Sequence, residues 1–175
     1  KVVLANEVEL KKAYLKQIHE SYIQKDIKDI GKIREVDKFN RMVRILASQA
    51  GNLLNISELS RTAGVTINTI NEWLFLLENT FVVKLIRPFS GNIRSELSKM
   101  PKLYFIDTGL KNSIENSFEI TGNGFENSFF SYVNHGYKTE KLSFYRTQDK
   151  KEIDFIVDGT PYELKTAYNG GKLTA

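Results

Sequence analysis

The sequence predicts an α+β fold, on three observations. Apolar residues recur at helical spacing over most of residues 7 to 79. A short helix, a glycine and a longer helix follow one another near residues 57 to 79, and from residue 142 three β-rich runs alternate with Asp- and Gly-containing turns. A helical N-terminal part should therefore precede a smaller part in which a helix leads into a three-stranded meander.

The first element is a long helix over residues 7 to 30, with Leu10, Tyr14, Ile18 and Tyr22 on one stripe, and Gly31 ends it. A second helix starts at Asp37 as N-cap and places Phe39, Met42, Val43, Leu46 and Ala47 on one face before Gly51 stops it. Asn55-Ile-Ser-Glu58 has the form of a capping box and opens a short helix from Ser57 to Ala63. After Gly64, Thr66 caps a longer helix to Asn79 that buries Ile70, Trp73, Leu74 and Leu77. The run Phe81 to Ile86 is a strand, Ser90-Gly-Asn92 a turn, and the return carries Arg94, Lys99 and Lys102. Helix, turn, helix and strand pair make residues 37–100 a winged helix-turn-helix, with residues 1–36 as a linker helix.

After Pro101 the character changes. Residues 102 to 106, KLYFI, form a short strand, and Asp107 or Thr108 caps a helix starting near Leu110. Another helix opens at Gly122, with Phe125, Phe129 and Tyr132 or Val133 on one face and Glu126 beside them. LSFYRTQ, KEIDFIV and PYELK then read as three strands.

Composition bounds the function. Of 175 residues, 41% are hydrophobic and 26% charged, with no apolar run long enough for a membrane span, so a soluble cytoplasmic chain without a membrane partner is expected. The absence of cysteine removes disulfides, thiolate zinc sites and cysteine nucleophiles, and two histidines, His19 and His135, disfavour imidazole metal sites and Ser-His-Asp chemistry. Residues 1 to 100 carry 16 Lys and Arg against 11 Asp and Glu, whereas residues 101 to 175 carry 9 against 10. A polyanion should therefore meet the N-terminal half. On the longer helix of the helix-turn-helix, Asn68 and Asn71 can read base edges, but its charged residues are Glu72 and Glu78. Weak, salt-dependent DNA contact would then lean on Arg61, Lys84, Arg87 and Arg94.

The meander holds the sharper chemical signal. In KKEIDFIVDGTPYELK, strand alternation puts Ile153, Phe155 and Val157 on one face and Asp154 on the other, while Glu163 and Lys165 share a face of the next strand. A hairpin closed at Gly159 brings Asp154 towards Glu163, and two adjacent carboxylates call for a proton or a cation between them. Mg²⁺ or Mn²⁺ would satisfy them, since Mg²⁺ takes one or two carboxylates at about 2.1 Å and keeps several waters. Lys165 would then orient or deprotonate a water, and Glu126 would add a third acid.

Asp154 followed by Glu163-Leu-Lys165 resembles the PD-(D/E)xK nuclease signature, with Glu126 matching the acid that many such families supply from the first helix. The resemblance implies a restriction-endonuclease-like α/β part over residues 101–175, metal bound by Asp154 and Glu163, and Lys165 assisting the attacking water. More widely, the segments YLKQIHESYIQKDI, NLLNISELSRTAGVTINTINEWLFLLENTFVVKLIRPFSGNIRSEL, KLYFIDTGL, FENSFFSYV, FYRTQDKKEIDFIV and YELK are similar, in order, to the C-terminal region of a family of prokaryotic AAA-type ATPases. That resemblance implies a nucleotide-binding module in cis, ahead of a region of unknown function with winged-helix and nuclease-like parts.

Two departures stand out. Gly170-Gly-Lys-Leu-Thr174 has Thr166 where a P-loop needs its first glycine and Leu173 after the lysine, so ATP would belong to the missing module only. The chain also stops ten residues after Lys165, where the nuclease fold continues, so the second part is expected to be incomplete. Two functions follow: a nucleic-acid-binding effector region that can cleave phosphodiesters, or a non-catalytic protein-interaction or autoregulatory module in which the acids are salt-bridge partners.

Overall fold

The structure, a computed structural model, describes residues 7–90, 99–119, 121–136, 141–147, 149 and 151–165. Arg94, the turn at Gly91-Asn92 and the Gly170 to Thr174 stretch lie outside the described residues. Among the described residues the fold is α+β, with seven α-helices and five strands in two antiparallel sheets. No helix among them is long and apolar enough to cross a membrane.

Helix α1 (Val8–Ile18) runs into a π-helical stretch (His19–Ile27) and one closing turn, α2 (Lys28–Gly31). The expected four-residue stripe is only partly buried, since Leu10 and Ile18 remain exposed. Ile23 and Ile27 are the residues that reach the core. The wider winding is the reason: π-helical bonds join residues five apart, so Ile23 follows Ile18 and Ile27 follows Tyr22. The Tyr22 hydroxyl donates to the Thr80 carbonyl at 2.5 Å and pins this stretch to the helices beneath.

Helix α3 (Val36–Ser48) starts before Asp37, so that residue is not its cap. Glu35 holds the N-cap place without a side-chain cap bond, because its carboxylate pairs with Lys38 at 2.5 Å. The inner face is the expected one: Phe39, Met42, Val43, Leu46 and Ala47 are buried, and Phe39 meets Trp73 edge to face with ring centroids 5.3 Å apart. Helix α4 (Ile56–Ala63) is capped by Asn55, whose Oδ1 accepts from the Glu58 N–H at 3.1 Å. Gly64 takes the left-handed conformation, φ 74°, that ends α4 and sends the chain into α5 (Ile67–Asn79), capped by Thr66. Ile70, Trp73, Leu74 and Leu77 are its buried residues, as the periodicity requires.

Helix α5 ends in a Schellman arrangement. The Val82 N–H bonds the Leu77 carbonyl at 2.9 Å and the Phe81 N–H bonds the Glu78 carbonyl at 3.1 Å. This puts Phe81 in the slot usually given to glycine, with φ 57°, at a cost of roughly 1–2 kcal/mol for a residue with a Cβ. Phe81 is therefore a turn residue, and β1 begins only at Val83 (Val83–Ile86).

Strand β2 (Lys102–Phe105) pairs antiparallel with β1, Val83 opposite Phe105 and Ile86 opposite Lys102. The strand expected to open the second part is thus the partner of the first, and packing runs across residues 100 and 101. Alternation makes β2 a partition. Leu103 and Phe105 enter the core built by α3, α4 and α5, while Lys102 and Tyr104 face the other way, and Tyr104 belongs to a second, aromatic core.

Helix α6 (Thr108–Glu115), capped by the Asp107 carboxylate on the Leu110 N–H at 2.6 Å, closes the first core with Leu110 and Ile114. Helix α7 (Gly122–Gly136) covers the second. Its buried residues are Asn127, Phe130 and Val133, whereas Phe125 and Tyr132 are exposed and Phe129 half-buried, a rotation from the expected face. Asn127 sets that rotation, because its amide bonds both backbone groups of Phe105 on the outer edge of β2.

Strands β3 (Leu142–Arg146), β4 (Glu152–Val157) and β5 (Thr160–Tyr162) form the expected meander, turned at Asp158 and Gly159, both at positive φ. β5 ends before Glu163, so Glu163 and Lys165 lie beyond the strand. The register between β3 and β4 slips: Ser143 faces Ile156 and Tyr145 faces Ile153, so two steps on β3 match three on β4. The extra residue is a β-bulge at Asp154-Phe155. It breaks the alternation expected there and lets Glu152, Asp154 and Phe155 all address the Lys102–Tyr104 face of β2.

Candidate functional site

The bulge assembles a cage around one ammonium group. Lys102 Nζ contacts Glu152 Oε1, lies 3.4 Å from Glu126 Oε2 and 3.9 Å from Asp154 Oδ1, and sits 5.5 Å from the centroid of the Phe144 ring. Its side chain is 3% exposed. Lys102 was expected among the basic residues of a wing; it is instead a buried cation. Carboxylates from α7 and β4 converge on it because both elements pack over the Lys102–Tyr104 face of β2.

Each acid has a further partner. The Tyr104 hydroxyl donates to Glu126 Oε2 at 3.2 Å, Arg146 Nη1 to Glu152 Oε2 at 2.7 Å, and the Leu164 N–H to Asp154 Oδ2 at 2.8 Å. That last bond ties the chain after β5 to the bulge. Gly51, at φ 86°, lies so close that a Cβ there would stand 3.3 Å from Glu126 Oε2.

Burial pushes the Glu126 carboxyl above its ordinary value of 4.5, Lys102 opposes the shift, and Asp154 adds to it. Burial and the Glu126 carboxylate likewise push the Tyr104 phenol upward. Folded Glu126 thus holds its proton more tightly than the unfolded chain does. Its contribution to stability is fully present below pH 4.5 and is lost as pH rises through the higher folded value. Glu126→Gln keeps an acceptor for Lys102 and Tyr104 but cannot titrate. Chemical denaturation from pH 4 to 8 should give this variant a flatter profile than wild type and at least equal stability at pH 8; a marked loss at pH 8 would show that the charge of Glu126 is needed.

Of the acids named for the site, Asp154 and the added acid Glu126 come together, with Lys102 between them and Glu152 beside them. Glu163 is apart from them: its side chain is 60% exposed and pairs with Lys165 at 2.5 Å. That contact, chiefly its hydrogen bond, raises the Lys165 ammonium above its ordinary value. These residues do not fit a Mg²⁺ or Mn²⁺ centre. The place for a divalent ion is taken by an ammonium, and among the described residues no group of three or more Asp, Glu or His could hold a metal ion. Glu152 was legible only as half of a Glu-x-Asp pair, and nothing local marked Lys102 as buried.

The other predicted residues that the structure describes lie on α4, α5 and β1 or just after it. Arg61, Asn68, Asn71 and Lys84 are exposed, and Arg87 is half-buried with a contact of its own. Glu78 is occupied, accepting from the Leu85 N–H at 3.0 Å, so Glu72 is the acid on the outer face of α5.

Comparison with known sequences decides the family. A model of a domain of unknown function, DUF8612, matches residues 1–121. The chain belongs to that family. It is also similar to an uncharacterized protein of Haemophilus influenzae, 28% identical over 89% of this chain and 39% of that protein. Uncharacterized proteins of Mycobacterium bovis and Mycobacterium tuberculosis are each 26% identical over 81% of the chain and 34% of their own length. The chain therefore spans between a third and two fifths of these relatives. No solved structure matches it.

Proposed function

We propose that this region is a nucleic-acid-binding module without phosphodiesterase activity, part of a larger protein. The observation that carries the reading is the set of exposed polar side chains on these elements: Arg61 on α4 and Lys84 on β1 stand exposed without a counter-ion among the described residues, and Asn68 and Asn71 are exposed on α5. Glu72 on the same face disfavours base reading, so contacts go mainly to phosphates. Cleavage is left out because Lys102 occupies the position a catalytic metal would need. The resemblance adds an ATPase module in cis, and the exposed Val8, Leu10 and Ile18 of α1 offer it a face.

Binding should be weak, indifferent to sequence and strongly salt-dependent, since each neutralised phosphate contributes close to one unit of slope in log affinity against log salt. Arg61→Ala and Lys84→Ala should each lower that slope by about one. Titration of a labelled oligonucleotide between 50 and 200 mM salt, with EDTA throughout, reads both quantities. No binding at low salt, or slopes unchanged in both variants, overturns the reading.

A further inference from the structure

We infer that the cleft between α1, α3 and α6 binds a small organic phosphate, a phosphate monoester with a flat apolar body. The cleft shares no residue with the proposed nucleic-acid contacts or with the Lys102 cage.

Packing leaves the space open. No residue of α1 is buried, and the helix rests on α6 where Gly109 makes room: a Cβ there would stand 2.9 Å from Leu15 Cδ2. A cleft of about 690 Å³ remains between α1, α3 and α6, a volume within the range that holds small ligands. Its buried lining is apolar, Val43 of α3 and Ile114 of α6.

The polar lining selects the ligand. Lys12, Lys16 and Arg44 stand against Glu9 and Glu20, so positive charge is in excess, and His19 beside them is already engaged. Glu9 is taken up by Lys12 at 2.8 Å. Lys16 and Arg44 are exposed with no counter-ion among the described residues, and the half-buried Asn40 amide and Ser113 hydroxyl make no side-chain hydrogen bond there. Two cations and two neutral hydrogen-bonding groups, all reached by displaceable water, are more than the two oxygens of a carboxylate need. They suit the three terminal oxygens of a phosphate monoester. Phe118 favours an organic body: its ring is 40% exposed on the cleft, with Lys12 Nζ 5.6 Å from its centroid. Inorganic phosphate would satisfy the cations and leave this apolar wall unused.

Amide shifts of the isotope-labelled chain, titrated separately with phenyl phosphate, inorganic phosphate and benzoate, test this. Phenyl phosphate is expected to give saturable shifts at Asn40, Arg44 and Ser113 with a Kd of about 1 mM, the affinity open to a ligand of this size, and the other two to bind at least about fivefold more weakly. Lys16→Ala and Arg44→Ala should each weaken phenyl phosphate roughly five- to tenfold, the low end for a hydrogen bond to a charged group, while melting with wild type because both side chains are exposed. Phe118→Ala should bring phenyl phosphate down to the level of inorganic phosphate. No saturable shift up to about 10 mM overturns the inference. So do shifts centred on α4 and α5 that Arg61→Ala removes, which would assign the phosphate to the nucleic-acid contacts. Benzoate binding as tightly overturns the phosphate, and inorganic phosphate binding as tightly, unmoved by Phe118→Ala, overturns the organic body.

Discussion

Lys102→Met should lower the stability of this chain by about 3–5 kcal/mol at neutral pH, the usual cost of removing one partner from a buried charge cluster. Methionine matches the length of the lysine stem, so the loss reports on charge rather than volume. Without the ammonium, Glu126, Glu152 and Asp154 face one another in a space that leaves each carboxylate 16–22% exposed, and among the described residues only Arg146 remains as a cation bonded to one of them. For a chain of this size the deficit corresponds to a drop in melting temperature of roughly 10 °C. Two conditions should restore part of it. Acid pH should, because crowded carboxylates in the folded variant bind protons more tightly than those of the unfolded chain, so the deficit grows as pH rises. Mn²⁺ should also, by binding the native acids once the ammonium has gone. Melting curves with and without Mn²⁺ at pH 5 and 7.5 separate the alternatives. A wild-type protein that gains as much from Mn²⁺ as the variant would mean that Lys102 yields its place to metal, and the non-cleaving reading would fall.

How much of this was legible in the sequence depends on whether a residue's surroundings follow from its neighbours in the chain. The buried faces of α3 and α5 were, because helical periodicity alone decides which residues face a core. The Asn55 and Thr66 caps and the Gly64 turn were legible for the same reason, since each acts within three or four residues. Errors arose where a regular period was assumed to continue. In the N-terminal helix a π-helical stretch replaced spacings of four with spacings of five, which moved burial from Ile18 to Ile23 and Ile27. In β4 one extra residue turned Asp154 to the face it was expected to avoid.

The candidate site was harder still, because its centre depends on packing between distant segments. Asp154 was expected to meet Glu163 with Glu126 as a third acid, but Lys102 joins Glu126 and Asp154 only because β2 pairs with β1 and lies under both α7 and β4. A lysine at the start of KLYF carries no local sign of burial. The lysine between Glu126 and Asp154 is Lys102, while Lys165 pairs with Glu163 at the surface.

Asn127→Leu should cost about 2–4 kcal/mol, although it replaces a fully buried polar side chain with an apolar one of nearly the same shape. The reason is the edge of β2. β1 pairs with one side of that strand; on the other, the Gly51 and Leu54 N–H groups bond the Leu103 and Pro101 carbonyls, and at Phe105 the Asn127 amide takes the place of a neighbouring strand: Oδ1 accepts from the Phe105 N–H at 2.8 Å and Nδ2 donates to the Phe105 carbonyl at 2.9 Å. Leucine leaves both backbone groups buried and unsatisfied, each at roughly 1–3 kcal/mol, offset in part by the gain in apolar burial. Asn127→Asp should be worse at neutral pH, because one oxygen still serves the N–H while the other sets a buried negative charge against the carbonyl. Urea unfolding gives the stabilities, and amide exchange at Phe105 gives the location, since protection should be lost there before it is lost in α3 or α5. The same variants should loosen the Lys102 cage, because β2 positions that lysine and α7 positions Glu126. A leucine variant within about 0.5 kcal/mol of wild type would mean that Phe105 finds other partners on the outer edge of β2, and that the remaining contacts of α7, among them Phe130, Val133 and the Ser131 hydroxyl on the Ile106 carbonyl, hold it in place.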